Sequence, residues 1–482
     1  MAISFNRVPT ALRVPGTYIE IDGSRALSTQ PGEPHRVLLI GLRLAAGSAP
    51  AGTIVEVTGE GAADGLFGAG SQLAAMAKAF ARVGSRARLY ALPVDPAGAG
   101  TAAAGTIALA GTATGAGTLT VRVGDRRVSV GVANGQTAAA IATALAAALT
   151  AEPDLPVTAG AAGGTVTLTA RQAGTHGNDV ALGVDVAPAG ITPTVTASTG
   201  GATNPSLAAS IAAIDDSRYD SIVSGVNDAA NVALLETEAA RRWDPEVKLP
   251  THVFVALRGT LSAMGTYGAA RNSQHLTIVG AGLSPTPPWV VVAQVAARDA
   301  QVTDTQPNRP RNGLVLPDVE APAPADRLDQ GERNGLLYDG VSTLRVAHDG
   351  RVLIERLITS YQVTPGGTAD ATYLSIETMR NLASTLLELL AVGARHERDL
   401  VAPDGTNVGP GVPVVTPATL RGELVAAYRS RERRGLAKDT AGFAADLLVE
   451  IDETNGERLN VQASPRLVNG LVVTAMKIAF QL

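Results

Sequence analysis

Residues 471–482, Leu471-Val-Val-Thr-Ala-Met-Lys-Ile-Ala-Phe-Gln-Leu482, repeat with a period of two. Val472, Thr474, Met476, Ile478, Phe480 and Leu482 share one face, and Leu471, Val473, Ala475, Lys477, Ala479 and Gln481 share the other. That period belongs to a pleated strand. A chain end frays unless something holds it, and an apolar strand with an unpaired edge is a template for another strand. Such a segment either closes the sheet of its own domain or joins a sheet on another subunit. A weaker counterpart follows Val14-Pro15-Gly16: Thr17, Ile19 and Ile21 alternate with Tyr18, Glu20 and Asp22. Residue chemistry alone leaves self-closure and donation both open.

The 482 residues exceed what one hydrophobic core ordinarily serves, so two to four domains are expected. Hydrophobic content is 45%, ample for globular folding, and the net charge of −5 gives no general attraction to nucleic acid or anionic membrane. Aromatics at 3% supply few stacking platforms. With zero cysteines, disulfides, thiolate metal sites and a cysteine nucleophile are all excluded. The opening Met1-Ala-Ile-Ser-Phe-Asn-Arg-Val lacks a signal-peptide pattern. No window reaches the ~18–20 apolar residues of a bilayer span. Folding in a cytoplasm is expected.

Val37–Leu42 is a continuous apolar run, the mark of a strand buried on both faces. Ser71–Val83 has helical spacing and Arg88–Val94 reads as a second strand, giving a β-α-β opening. From about 97 to 203, Gly, Ala and Thr dominate. Alternating strands at Gly117–Val123, Arg127–Val132, Thr165–Ala170 and Val180–Val186 surround a helix opening at Thr137, an inserted β-β-α-β-β unit between flexible flanks. Leu207–Ile214 and Asn231–Trp243 are then helical, while Ser221–Val226, His252–Leu257 and Leu276–Gly280 are strands. Residues 303–335 read as a long loop. Val352–Thr359 is a strand, Tyr373–Arg398 a helix, and Thr416-Pro417 caps another helix running to Arg434. Ala445–Asp452 and Arg458–Ser464 pair across the Asn455-Gly456 turn before the terminal strand.

Chemistry-bearing patterns are sparse. Six histidines carry no metal-ligand spacing, and neither a nucleophile elbow, a phosphate loop nor a dinucleotide fingerprint occurs. Ser221 and Ser224 lie on a buried-looking strand, and Asp215-Asp216 ends a helix. Arg429-Ser-Arg-Glu-Arg-Arg434 ends a helix where cations suit the dipole, and reads either as a solvated cap or as a contact for an acidic partner.

The opening SFNRVPTALRVPGTYIEID, the strand RVLLIGLR, the Gly/Ala/Thr-rich insertion and the ending FAADLLVEIDETNGERLNVQASPRLVNGLVVTAMKIAF together resemble the tail sheath proteins of contractile phage tails, most closely those of Mu-like phages. The resemblance spans essentially the whole chain. It implies an α/β and α+β multidomain fold: an extended arm at 1–35, an α/β core at 36–97 plus 203–345, and an outward-facing inserted domain at 98–202. A tube-facing α+β domain at 346–470 and a strand arm at 471–482 complete it. It implies a non-enzymatic subunit without cofactor or metal that polymerises helically around a tail tube and contracts to drive it through the host envelope. Expected partners are further copies, the tube, baseplate and tail terminator proteins, without direct nucleic-acid or membrane contact. The expected location is the virion tail, after assembly in the host bacterial cytoplasm.

Within that picture the inter-subunit arms are Thr17, Tyr18, Ile19 and Ile21, and Val472, Thr474, Met476, Ile478 and Phe480. The acceptor strands carry Leu447, Val449, Ile451, Leu459 and Val461, and a tube contact falls on Arg429, Arg431, Arg433 and Arg434. Two other classes stay in view: an α/β enzyme with a surface-binding insertion, and a surface-layer or fibre protein. The family's core is sometimes likened to a subtilisin-like fold, and the sequence offers no Asp/His/Ser triad pattern to go with it.

Overall fold

The run Val37-Leu-Leu-Ile-Gly-Leu42 has no polar residue to turn toward water, and with Arg36 it forms a strand, β1 (Arg36–Leu42), buried from Val37 to its end. The computed structural model describes residues 34–480 apart from 408 and 410. The arm residues Thr17, Tyr18, Ile19 and Ile21 lie outside the described residues. After β1 come β2 (Val55–Glu56), α1 (Ala63–Phe67), α2 (Gln72–Arg82) and β3 (Arg88–Val94). Ser71 caps α2 by accepting from Ala74 N, and Leu73, Met76, Ala77 and Phe80 turn inward. β1 and β3 run parallel in register from Arg36↔Arg88 to Leu42↔Val94.

Between β3 and the next core strand stands a richer unit than the expected β-β-α-β-β. It comprises β4 (Ala104–Gly111), β5 (Gly117–Val123), β6 (Arg126–Val132), α3 (Ala138–Thr150), β7 (Val157–Ala162), β8 (Thr165–Ala170), β9 (Leu182–Val186) and β10 (Ile191–Thr199). They form two sheets, β10-β4-β8-β7 and β6-β5-β9. The strands that sequence reading missed are built from Ala, Gly and Thr, as in Ala104-Gly-Thr-Ile-Ala-Leu-Ala-Gly111, where weak contrast in hydrophobicity hides the alternation. The flanks expected to be flexible are pinned: Thr101 N donates to Ala202 O at 3.0 Å and Thr101 Oγ1 to Gly200 O at 2.8 Å. Ile107, Leu119 and Leu145 of this unit share one apolar cluster with Val37, Phe80 and Val291 of the core. Lys78 bridges Asp64 and Asp154 across the same seam at 2.6 and 2.8 Å.

The chain returns through α4 (Ala208–Ala212), β11 (Ser221–Ser224), α5 (Ala229–Arg242), β12 (His252–Leu257), α6 (Leu261–Ala269) and β13 (Leu276–Gly280). It continues through α7 (Pro288–Thr305), α8 (Gln330–Tyr338), β14 (Val341–Val346) and β15 (Val352–Arg356). The core sheet has the order β15-β14-β13-β12-β11-β1-β3-β2. Strands from β3 to β14 are parallel, and β2 and β15 close the edges antiparallel. α2 and α7 cover one face, while α5, α6 and α8 cover the other. The strand beginning at Val352, assigned from sequence to the C-terminal region, thus completes the core sheet, because β14 turns straight back onto it. The region 303–335 is not wholly loop: α7 reaches Thr305, and α8 opens on an Asp329/Glu332 capping box. Among the described residues, no helix is long and apolar enough to cross a membrane.

The last third holds α9 (Ile376–Ala394), β16 (Leu400–Val401), β17 (Val414–Val415), α10 (Pro417–Arg433), α11 (Thr440–Asp446), β18 (Leu448–Ile451) and β19 (Leu459–Gln462). Thr416 caps α10 by accepting from Thr419 N, with Pro417 in the first turn. A separate apolar cluster forms here around Val392, Leu420, Leu424, Tyr428 and Phe443, with the rings of Tyr428 and Phe443 stacked at 3.8 Å. The strand expected from Ala445 begins at Leu448, because Asp439 caps a short helix through Asp446 and Leu447 closes it, 1% exposed.

Candidate functional site

The hairpin β18–β19 is antiparallel, pairing Leu448↔Gln462 through Ile451↔Leu459, and its sheet has two strands. Each strand therefore keeps one edge without a ladder partner among the described residues. Val449, Ile451 and Leu459 are half-buried, with Val449 and Leu459 packed against the C-terminal cluster, whereas Leu448 and Val461 are 59% and 44% exposed. Leu447 differs from the expectation: its side chain fills that cluster instead of lying on an acceptor strand.

Beyond the hairpin the chain crosses Tyr428, whose hydroxyl accepts from Arg466 N at 2.8 Å, and bridges Ala437 at Leu467. Residues 471–480 then carry no sheet pairing among the described residues, and every one is exposed. Met476, Ile478 and Phe480 are 82%, 87% and 80% exposed, and Leu471 and Val473 on the opposite face are 74% and 77% exposed. Val472, at 39%, and Thr474 complete the sequence-predicted set. A row of large apolar side chains on both faces of a segment is not how a chain finishes its own fold.

The arginine patch is split by the fold. Arg429, Arg433 and Arg434 are exposed, and Arg434 donates to Glu388 Oε2 at 2.6 Å. Arg431 is a correction: it is 1% exposed and donates to Asn381 Oδ1 at 2.7 Å and Ser384 Oγ at 3.1 Å, with Glu388 at 2.8 Å. Its position one helical turn from Tyr428 points it between α10 and α9, so it joins helices and offers no contact surface.

In an open α/β sheet, ligands bind beyond the carboxyl ends of the strands where the strand order reverses. Here the order reverses at β1, between β3 and β11. Gln72, 1% exposed, fills that position: its Oε1 accepts from Leu42 N at 3.0 Å and its Nε2 donates to Gly225 O at 2.9 Å. Gln72 N, at the start of α2, donates to Gln172 Oε1 of the inserted unit at 2.9 Å. A Cβ on Gly225 would come within 2.8 Å of Gln72 and of Met76. The crevice is packed with protein.

One serine–histidine–aspartate grouping does form. His35 Nε2 lies 2.8 Å from Ser221 Oγ, and Nδ1 lies 4.0 Å from Asp220 Oδ2. All three are buried, and Arg380 Nη2 also donates to Ser221 Oγ at 2.6 Å. Ser221 Oγ, on strand β11, is thus a buried hydroxyl held by a cation. Burial pushes His35 down to about 4, outweighing the opposing pull of Asp220, so the ring stays neutral at physiological pH.

Beside it, Asp299 on α7 is 0% exposed and takes Arg311 Nε on one oxygen at 2.9 Å and Arg380 Nη2 on the other at 2.6 Å. Burial alone would raise its carboxyl, but Arg380 and Arg311 outweigh that and hold it well below the usual range. Sequence reading passed over this cluster. Its signal was an ionised residue inside the apolar helix Trp289-Val-Val-Val-Ala-Gln-Val-Ala-Ala-Arg-Asp299, which demands a paired charge. Among the described residues, no group of three or more His, Asp or Glu is placed to hold a metal.

Residues 200–360 match the family model of the phage tail sheath protein central domain, the segment that builds most of the core sheet. The Mu-like prophage FluMu tail sheath protein of Haemophilus influenzae is 36% identical over 486 residues, covering 100% of both chains. In fold, the chain is similar to the sheath tail protein of Desulfitobacterium hafniense, at 16% identity and a TM-score of 0.50 over 94% of this chain and 100% of that one. It is similar also to the sheath of an extracellular contractile injection system in its contracted state, at 10% identity and a TM-score of 0.50 over 98% and 99% of the two chains. With these matches, the chain belongs to the phage tail sheath protein family, as a structural subunit of a contractile sheath.

Proposed function

We propose that this sheath subunit is stitched to its neighbours by strand exchange through its terminal segments. The observation that carries the reading is the exposure of Leu471, Val473, Met476, Ile478 and Phe480 on a segment that, among the described residues, has no ladder partner, beside a β18–β19 hairpin whose outer edges are likewise unpaired among them. Leu471–Phe480 is the donor, and Val449, Ile451, Leu459 and Val461 mark the acceptor strands on another copy. Thr17–Ile21 is the second donor. Extended, ten residues reach roughly 33 Å, far enough to cross to an adjacent subunit. Six to eight ladder bonds at roughly 0.5–1.5 kcal/mol each, with the apolar faces buried, would keep a neighbour attached while subunits slide and rotate. The copies stack as rings around a tail tube and repack between two arrangements to drive it. Within 346–470, the part beyond β15 faces the tube and 98–202 face outward, with Arg429, Arg433 and Arg434 as the tube contact. The baseplate and tail terminator are the partners at the two ends. The virion tail is its location, after assembly in the host cytoplasm.

A chain ending at Gly470 tests this. It should purify as a folded monomer that forms no tubes under the electron microscope. Normal tubes from the truncated chain would remove the C-terminal arm from the mechanism.

A further inference from the structure

Three points of the fold that are distant in sequence connect to one buried group, the third of them through the loop that Arg311 holds. The first is where the chain enters the core: His35 N donates to Asp304 Oδ1 at 3.0 Å, and His35 Nε2 holds Ser221 Oγ at 2.8 Å. The second is the start of the C-terminal region on α9. Arg380, 4% exposed, spreads its guanidinium over Asp299 Oδ2 at 2.6 Å, Ser221 Oγ at 2.6 Å and Asp220 O at 2.7 Å. The third is where the C-terminal segment departs. Asn308 Nδ2 donates to Val468 O at 3.1 Å and to Gly435 O at 2.8 Å, and Gly470 lies so near Pro310 that a Cβ there would sit 2.4 Å from its Cγ. The loop carrying Asn308 and Pro310 is tied down by Arg311, which donates to Pro307 O at 2.7 Å, Arg309 O at 2.6 Å and Asp299 Oδ1 at 2.9 Å.

We propose that the Asp299–Arg311–Arg380 cluster is the common anchor for the roots of both terminal arms, so that a pull on either arm is delivered to the core sheet at a single point. The proposal rests on the reading of the terminal segments as arms. Its physics is local. Asp299 has two oxygens and gives one to each arginine, and Ser221 Oγ joins the entry root to the helix root. A guanidinium fork meets three acceptors in fixed directions, which an ammonium group of equal charge does not. Both charges are removed from water, so neither partner rearranges without leaving the other unpaired. A joint with these properties holds direction as well as position, which a subunit needs if its arms are to stay aimed at neighbours while its body rotates.

The test is hydrogen exchange on the full-length, unassembled protein. Arg380→Lys should speed exchange at least tenfold in residues 35–37, 376–381 and 464–470 together, while β12 and β13 keep their protection. Ser221→Ala, a mild change, should loosen 35–37 and 376–381 without 464–470, and Asn308→Ala should loosen 464–470 without the others. If Arg380→Lys loosens α9 alone, or loosens the whole sheet evenly, the common anchor is wrong. If that variant does not fold, Ser221→Ala and Asn308→Ala decide the matter, and wild-type exchange in both overturns it. The outcome is separate from strand exchange: a truncated chain that still polymerises would leave these exchange patterns standing.

Discussion

β1 and the segment after Gly470 are both apolar and both strand-like in sequence, yet they meet opposite fates. β1 has a parallel partner on each side, and Val37, Leu38, Leu39 and Ile40 are all 0% exposed. Residues 471–480 have no sheet partner among the described residues, and Ile478 is 87% exposed. Both faces of β1 are covered by helices of the same chain, so its apolar surface stabilises the monomer. The later segment leaves its large apolar side chains in solvent, so they add little to the stability of the monomer. The same amino-acid types thus meet protein in one place and water in the other, and the proposed strand exchange is what would cover the second set.

Acid should open the widest gap between the two regions. Burial holds His35, His176 and His275 at about 4, below the ordinary 6.5. Their stabilising effect is fully present above 6.5 and is lost as pH falls toward about 4, because the unfolded chain then binds more protons. Each shift is on the order of 3 kcal/mol; burial raises the Asp179 carboxyl to about 7, which opposes roughly one of them as pH falls, so the net change on acidification remains a loss. In the C-terminal region, His396 has the opposite sign: Asp399, then Glu423, raises it. Its link is fully present below 6.5 and is lost as pH climbs through the folded value. Urea midpoints followed by circular dichroism should fall steeply from neutral pH toward 4, with proteolysis cutting the core region first. A midpoint flat across that window breaks the contrast.

Leu39→Ala comes next. It leaves a cavity between β1 and the helices over it and should cost about 2–5 kcal/mol in denaturant unfolding. Smaller is Tyr428→Phe. It strips one hydroxyl from the contacts to Lys438 O, Arg466 O and Arg466 N, and should cost about 1–3 kcal/mol in the unfolding of the C-terminal region. Smallest for the monomer is Ile478→Asp. It should change stability by no more than about 0.5 kcal/mol while abolishing tube formation in sedimentation. A large loss of monomer stability from that change would mean the tail packs on its own subunit.

Much of the core was legible. Val37–Leu42, Arg88–Val94, His252–Leu257 and Leu276–Gly280 announced themselves as strands because each carries a short, nearly continuous apolar run, as strands covered on both faces do. The Asn455-Gly456 turn between β18 and β19 was equally plain. The inserted unit was half-legible, since strands of Ala, Thr and Gly differ little between their faces. α8 was missed although Asp329 and Glu332 spell a capping box, because the surrounding Pro and Gly suggested loop. Arg431 misled for a different reason. Four arginines near a helix end look alike in sequence, and only the angle of each around the helix separates the buried one from its exposed neighbours.

The sequence by itself determined which segments are apolar and with what period, and so which strands are covered on both faces and that the tail is strand-like; that the tail's two faces lie uncovered came from the structure. The sequence determined also that the chain resembles a sheath subunit along its whole length. Only the tertiary structure decided that β15 closes the core sheet, that Gln72 plugs the switch-point crevice, and that His35, Asp299, Arg311, Arg380 and Asn308 gather at one place. The reason is physical. Periodicity is a property of neighbours along the chain, whereas a buried charge is tolerable only if a partner arrives from elsewhere, and Asp299 and Arg380 are 81 residues apart.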